Sequence, residues 1–326
     1  MKAVIMTQPG GPEVLEVRNV PDPQPQGSQI LVGVRAAALN RADLLQRRGH
    51  YPAPPGVPHN ILGLEFAGVV EDQGRDARRF QRGDRVMGLL GGGGYAEKTV
   101  LDESLALPVP EDWSDQQAAA FPEAFFTAYD ALFPQLGLKM GETILIHAVG
   151  SGVGTAALQL AKCAGATVLG TARSPEKLER ARQMGLDEGI HCKSEDFGEA
   201  AARFTQGKGV NAVLDLVGAD YWERNLNCLA SQGRLILVGL LSGANAPVSL
   251  NQILRNRLHI MGTVLRNRSL WEKAQLTERI RRHVLPLARS GRIQPVVDCT
   301  FPLEDAAQAH QYMEENRNFG KIVLVV

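Results

Sequence analysis

The 326 residues are 44% hydrophobic and 21% charged, with Lys+Arg and Asp+Glu both at 35, so the formal net charge is zero. These proportions belong to a folded globular chain and argue against a disordered, collagen-like or coiled-coil one. The length is that of two domains at roughly 150 residues each, and a neutral chain lacks the global positive field of a dedicated nucleic-acid binder.

Residues 1 to about 122 read as β-rich, with short apolar stretches at Lys2–Met6, Gln29–Ala36, Leu64–Val70 and Arg85–Leu89 between Pro- and Gly-rich turns. Ala38–Arg48 and Ser114–Ala120 are the helical patterns there. Beyond Pro122 the periodicities alternate. Helices are expected at Glu123–Leu136, Gly152–Ala164, Pro175–Met184 and Tyr221–Leu229, and strands at Glu142–Ala148, Thr167–Thr171, Val210–Leu216 and Arg234–Leu240. Such βαβαβ alternation predicts a doubly wound parallel sheet, and strands apolar along their whole length fit a sheet covered on both faces. A long helix over Ser269–Ser290, a helix over Leu303–Asn316 and a closing strand over Lys321–Val326 follow.

No apolar run reaches the roughly 18 residues of a membrane span. The opening stretch Met1–Gln8 is too short for the apolar region of a signal peptide. Cys163, Cys192, Cys228 and Cys299 are 29, 36 and 71 residues apart, a spacing of neither a zinc knuckle nor a disulfide framework. Reduced thiols and a cytoplasmic setting are the expectation. His147, at the end of an apolar strand, reads as a core histidine rather than a ligand.

The strongest local signal is Ile144–Gln159, where a strand runs into Gly150-Ser151-Gly152-Val153-Gly154 and then into a helix. Free amides and the helix dipole at such an N-terminus favour the pyrophosphate of a dinucleotide, and glycines admit close approach. The next strand ends at Thr171-Ala172-Arg173-Ser174-Pro175-Glu176-Lys177. A chain selective for NADH would place an acid at this strand end to hold the ribose 2′-hydroxyl. Arg173, Ser174 and Lys177 instead suit a 2′-phosphate, so NADPH is the expected cofactor.

Several segments recur in the order of a known family: Ala38–Asp43, Gly49–Pro52, Leu62–Gly68, Gly83–Val86, Ala118–Phe126, the loop at 148–157 and Asn318–Val323. The chain resembles the medium-chain dehydrogenase/reductases and, within them, is similar to the zinc-independent quinone oxidoreductases, over essentially its whole length. Zinc-dependent relatives place a Cys ligand near Asn40, a His where Leu64 stands, and a clustered four-cysteine loop; none of these is present. With no H-e-x-x-H pair either, the reading has no metal.

The resemblance implies a GroES-like catalytic domain from residues 1–122 and 263–326, around a Rossmann nucleotide-binding domain at 123–262. It also implies a homodimer joined through the edge strand near Leu258–Leu265. Carried over, Gly150 to Gly154 hold the pyrophosphate, with Ser151 near the nicotinamide, and Ser174 and Lys177 take the 2′-phosphate. Thr127, Gly218, Leu240, Leu265, Asn318 and Lys321 complete the cofactor contacts. Asn40, Asp43 and Tyr51 line the cleft near the nicotinamide. The family's tyrosine at the adenosine end is Cys192 here, and Arg173 replaces a small residue.

The activity so implied is NADPH-dependent reduction of quinones or related activated carbonyls. Tyr51 would donate to the developing oxyanion with help from Asn40. Enoyl or 2-alkenal reduction is the alternative with the same fold and cofactor. A third reading, a nucleotide-sensing or RNA-binding protein with residual catalysis, rests on Arg255, Arg257, Arg266, Arg268 and the run Arg279–Arg282. No interleaved aromatic platform accompanies those arginines.

Overall fold

The apolar runs of the central third become a six-stranded sheet in a computed structural model that describes all 326 residues. In spatial order the strands are Glu188–His191, Thr167–Ala172, Thr143–Ile146, Val210–Asp215, Leu229–Leu237 and His259–Gly262, and every neighbouring pair is parallel. Numbered along the chain, that order is 3-2-1-4-5-6, the dinucleotide-binding arrangement whose crevice opens where strands one and four diverge. Consecutive residues Ile144, Leu145 and Ile146 are all fully buried, so both faces of the sheet are covered. Phe197, Leu226 and Cys228 from the flanking helices pack on Leu145, Leu169, Val213 and Leu235. These elements lie in one compact unit, residues 127–264.

The second unit comprises residues 1–126 and 265–326. Its main sheet runs Val297–Pro302, Lys321–Val325, Gln29–Ala38, Glu65–Gln73, Arg85–Leu89 and Ala106–Pro108, with Lys98–Asp102 also paired to Gln29–Ala38. Only the first pair is parallel. Lys2–Met6 and Leu15–Asn19 form a separate hairpin. The long strand Gln29–Ala38 is central. Its alternate residues Ile30, Val32 and Val34 face one core with Phe66 and Val86, while Ala37 packs with Leu44, Leu62 and Leu324 in another.

Several elements differ from expectation for local reasons. The helix expected at Ala38–Arg48 spans Arg41–Arg47, because residues up to Ala38 complete the strand. The helix expected at Glu123–Leu136 is α-helical over Pro122–Asp130 and widens into one π turn at Ala131–Gln135, which contains Pro134. Proline has no N–H to continue the ladder. Pro286 has the same effect on the long helix expected at Ser269–Ser290, which is split into Leu270–His283 and Leu285–Arg289. The strand expected at Arg234–Leu240 spans Leu229–Leu237. The first unit boundary falls inside the helix Pro122–Asp130, a few residues beyond the expected one.

Candidate functional site

The strand Thr143–Ile146 ends in a loop whose Ala148 holds the left-handed conformation, with φ 49°. Non-glycine residues there are uncommon and mark constrained turns. Ser151 caps the helix Gly152–Cys163, its hydroxyl accepting the Gly154 amide at 3.0 Å. Gly154 has no room for a side chain: a Cβ would lie 2.4 Å from the Ala148 carbonyl and 2.8 Å from the Val149 Cα. The helix start is thereby pressed against the loop, and the first helical amides, at Gly152 and Val153, have no acceptor inside the helix. An anion fits such a cradle.

A buried hydrogen-bond chain ties three strand ends around this loop. His147 is fully buried, with Nδ1 at 3.0 Å from Thr171 Oγ1 and Nε2 at 2.6 Å from Asn225 Oδ1. Asn225 donates in turn to Asp215 at 3.0 Å. Asp215 also accepts the amides of Val217 at 2.7 Å and Gly218 at 3.2 Å. Burial lowers the His147 pKa to about 4, keeping the ring neutral, and raises that of Asp215 to about 6. Gly218 adopts φ +92°, and a Cβ there would lie 2.8 Å from the Gly243 carbonyl and 3.0 Å from the Leu240 Cα. The structure therefore brings Gly218 and Leu240 together at the ends of the fourth and fifth strands, with Leu240 half exposed. Thr127, on the helix Pro122–Asp130, is buried.

At the end of Thr167–Ala172, Ser174 caps the helix Pro175–Gln183 and accepts the Lys177 amide at 3.4 Å. Its hydroxyl also bonds the Glu176 carboxylate, which holds that carboxyl below its ordinary pKa. Arg173 is exposed, and its carbonyl lies 3.1 Å from His191 Nε2. Cys192 donates to the Ala172 carbonyl at 3.2 Å. The Glu176 carboxylate therefore occupies the Ser174 hydroxyl at this helix start.

In the other unit the hub is Glu65, a residue that sequence reasoning passed over although it interrupts the apolar run Leu62–Val70. It is fully buried. One carboxylate oxygen accepts from Asn40 Nδ2 at 2.8 Å and pairs with Lys321 Nζ at 2.7 Å; the other accepts the Glu123 amide at 2.7 Å. Lys321 also donates to Asn40 Oδ1 and to the Leu39 carbonyl, each at 2.6 Å. An ammonium has three donors, so all three are committed. Its ammonium thereby fixes the Asn40 carboxamide. Asn318 spends its side-chain amide on the Gly320 carbonyl, at 2.8 Å.

Asp43 is fully buried and accepts the amides of Asn40 at 2.7 Å and Gly63 at 3.1 Å, and the Tyr95 hydroxyl at 3.1 Å. Burial raises its pKa to about 6 against these donors. Tyr95 also meets His310 Nε2 at 3.3 Å, and Arg47 reaches His310 Nδ1 at 3.2 Å and the Glu314 carboxylate.

Tyr51 is half buried, and its ring lies under the Arg266 guanidinium at 5.1 Å. Arg266 donates to the carbonyls of Tyr51 at 3.2 Å and Gly91 at 2.8 Å, and to Gln46 Oε1 at 2.5 Å. Being only 6% exposed, it offers no surface charge. Arg281 likewise turns inward to the Ala106 carbonyl, so two arginines of the supposed basic surface are structural. Burial, then the negative charge of Glu123, raise the Tyr51 pKa, and Arg266 opposes them. Beside this loop a pocket of ≈ 30 Å³ is walled by Leu64, Leu89, Leu265, Glu123, Arg266 and Lys273. No group of three or more His, Cys, Asp or Glu is placed to hold a metal ion.

Comparison with known proteins agrees with these two halves. The family described as alcohol dehydrogenase GroES-like domain matches residues 26–111, and that described as zinc-binding dehydrogenase matches residues 152–280. The chain is 37% identical to a quinone oxidoreductase of Pseudomonas aeruginosa over 317 residues, 97% of each chain. A structure of Escherichia coli quinone oxidoreductase complexed with NADPH is 31% identical and superposes with a TM-score of 0.92, covering 100% of both chains. A structure named as an NAD-dependent alcohol dehydrogenase is 36% identical, with a TM-score of 0.90 and 100% of both chains covered.

Proposed function

The chain belongs to the quinone oxidoreductase family of the medium-chain dehydrogenase/reductases, and from that premise we propose that this oxidoreductase reduces quinones with NADPH, without zinc. The observation that carries the reading is the phosphate cradle. Gly154 leaves no room for a Cβ at the first strand-to-helix turn of a 3-2-1-4-5-6 sheet, the arrangement that takes a dinucleotide pyrophosphate. The NADPH complex of the E. coli relative supports the choice of cofactor.

In this reading Gly150, Ser151, Gly152, Val153 and Gly154 hold the pyrophosphate. Arg173, Ser174 and Lys177 hold the 2′-phosphate, and Glu176 must turn away from Ser174 to admit it. Thr127, Gly218, Leu240, Leu265 and Asn318 complete the cofactor contacts. When bound, the cofactor supplies a hydride; the protein supplies orientation and electrostatics. Tyr51 donates a hydrogen bond to the oxygen that becomes negative, and Asn40, held by Glu65 and Lys321, assists it. Asp43 acts as a positioning residue through its bonds to Asn40 and Gly63. A homodimer and a cytoplasmic setting complete the reading. The dimer is supported by the strand His259–Gly262, which forms the outer edge of its sheet.

The test is a steady-state panel of quinones and 2-alkenals with NADPH and with NADH. Preferred turnover of quinones with NADPH is expected. Preference for alkenals, or equal use of both nicotinamides, would overturn the substrate or the cofactor assignment respectively.

A further inference from the structure

Glu123 is a partly buried carboxyl group in the wall of a small pocket. Its backbone amide anchors the start of the helix Pro122–Asp130 on Glu65, at 2.7 Å. Its side chain lines the small pocket beside Tyr51, between the apolar walls Leu64, Leu89 and Leu265 and the cations Arg266 and Lys273. Both cations are already engaged: Arg266 clamps Gly91, Tyr51 and Gln46, and Lys273 Nζ donates to the Arg266 carbonyl at 2.7 Å. A pocket of ≈ 30 Å³ takes one oxygen-sized group and no ring.

Resting on the quinone-reductase reading, we propose that this pocket receives the reduced oxygen of the substrate and that Glu123 is its proton donor. The step balances. Two electrons and one hydrogen nucleus reach the quinone as the hydride that the cofactor supplies, leaving one oxygen anionic. The O–H bond of Glu123 breaks, its proton joins that oxygen, and the electron pair stays on the carboxylate. Water then returns a proton to Glu123, and the hydroquinone leaves.

The surroundings keep the carboxyl in its acid form at neutral pH. Burial, then the charges of Glu65 and Asp43, raise its pKa to about 8, while Lys321 and Arg266 pull the other way. Tyr51 and Lys273 are the remaining titratable groups that sense its charge. Above its pKa the carboxyl has no proton to give, so turnover falls as pH rises through about 8.

The experiment follows turnover of 1,4-naphthoquinone with NADPH from pH 6.5 to 9.5 in wild type, Glu123→Gln and Glu123→Asp. NADPH affinity and thermal melting establish that each variant is folded and loaded. Expected is a wild-type profile that falls above about pH 8. In Glu123→Gln turnover at pH 7 should fall by about a hundredfold or more, with the alkaline limb gone; Glu123→Asp should keep the limb. Infrared difference spectra between neutral and alkaline pH should show a protonated carboxyl in wild type that Glu123→Gln lacks. Unchanged turnover and pH profile in Glu123→Gln, with reduction intact in wild type, would overturn the role of Glu123 alone. A wild type that reduces no quinone would overturn the substrate reading and this role with it.

Discussion

Lys321 satisfies three acceptors at once, and Glu65, fully buried, has no other cation. Lys321→Met would leave that carboxylate unpaired, at a cost of about 3–5 kcal/mol. Calorimetry should show the loss as a lowered Tm, and turnover should fall with it as Asn40 loses its anchor. Tyr51→Phe keeps the ring under Arg266 and removes only the hydroxyl. Turnover should drop about tenfold, equivalent to ~1.4 kcal/mol, with NADPH affinity unchanged. Wild-type turnover across several quinones would reduce Tyr51 to packing. At the adenosine end, Lys177→Ala should weaken NADPH by about 1.5–3 kcal/mol and leave NADH alone. Fluorescence titration with both nucleotides measures the change in their ratio.

Among elements, the strand-to-helix turn at Gly154 is the least forgiving. Gly154→Ala places a methyl 2.4 Å from the Ala148 carbonyl, and backbone cannot yield as a flexible side chain does. Dinucleotide binding should be lost by titration. His147 gives the same region a pH dependence. Its folded pKa, about 4, lies below the ordinary 6.5, so the unfolded chain binds the proton more readily. The stability this burial contributes is therefore present above pH 6.5 and lost as pH falls toward 4, by about 3 kcal/mol in full. The Tm deficit of His147→Gln relative to wild type should shrink across that window.

The strand Thr143–Ile146, the glycine turn and the helix after it were legible because period, glycines and apolar runs are local signals. The pocket of the other unit was not. Glu65, Glu123 and Arg266 acquire their partners from residues up to 256 positions away, and a carboxylate inside an apolar strand has no pattern of its own. The strand Val297–Pro302 was missed for a related reason: it is only half buried, and its residues lack clean alternation.

For the whole molecule, the outer strand His259–Gly262 and the exposed Leu250 and Leu254 beside it leave apolar surface and unpaired backbone at one edge. Such an edge is an aggregation liability unless covered. Sedimentation velocity should give twice the chain mass of 35.3 kDa, and Leu254→Glu should shift it toward the single chain. A wild type that remains a monomer at micromolar concentration would remove the dimer from the reading.

The bond from Lys321 to Asn40 joins residues 281 apart, and this has a consequence for the order of events on the ribosome. All of residues 127–264 emerge before the strand Lys321–Val325 is made. The nucleotide-binding unit can therefore gather its own sheet during translation, while Glu65 waits for its cation. Loop closure over so long a span is slow relative to local pairing. Arrested nascent chains ending near residue 305 should resist protease in the central unit and be cut readily within the first 126 residues. On the proposed role of Asn40, the site would be complete only once the strand Lys321–Val325 docks and Lys321 reaches that carboxamide.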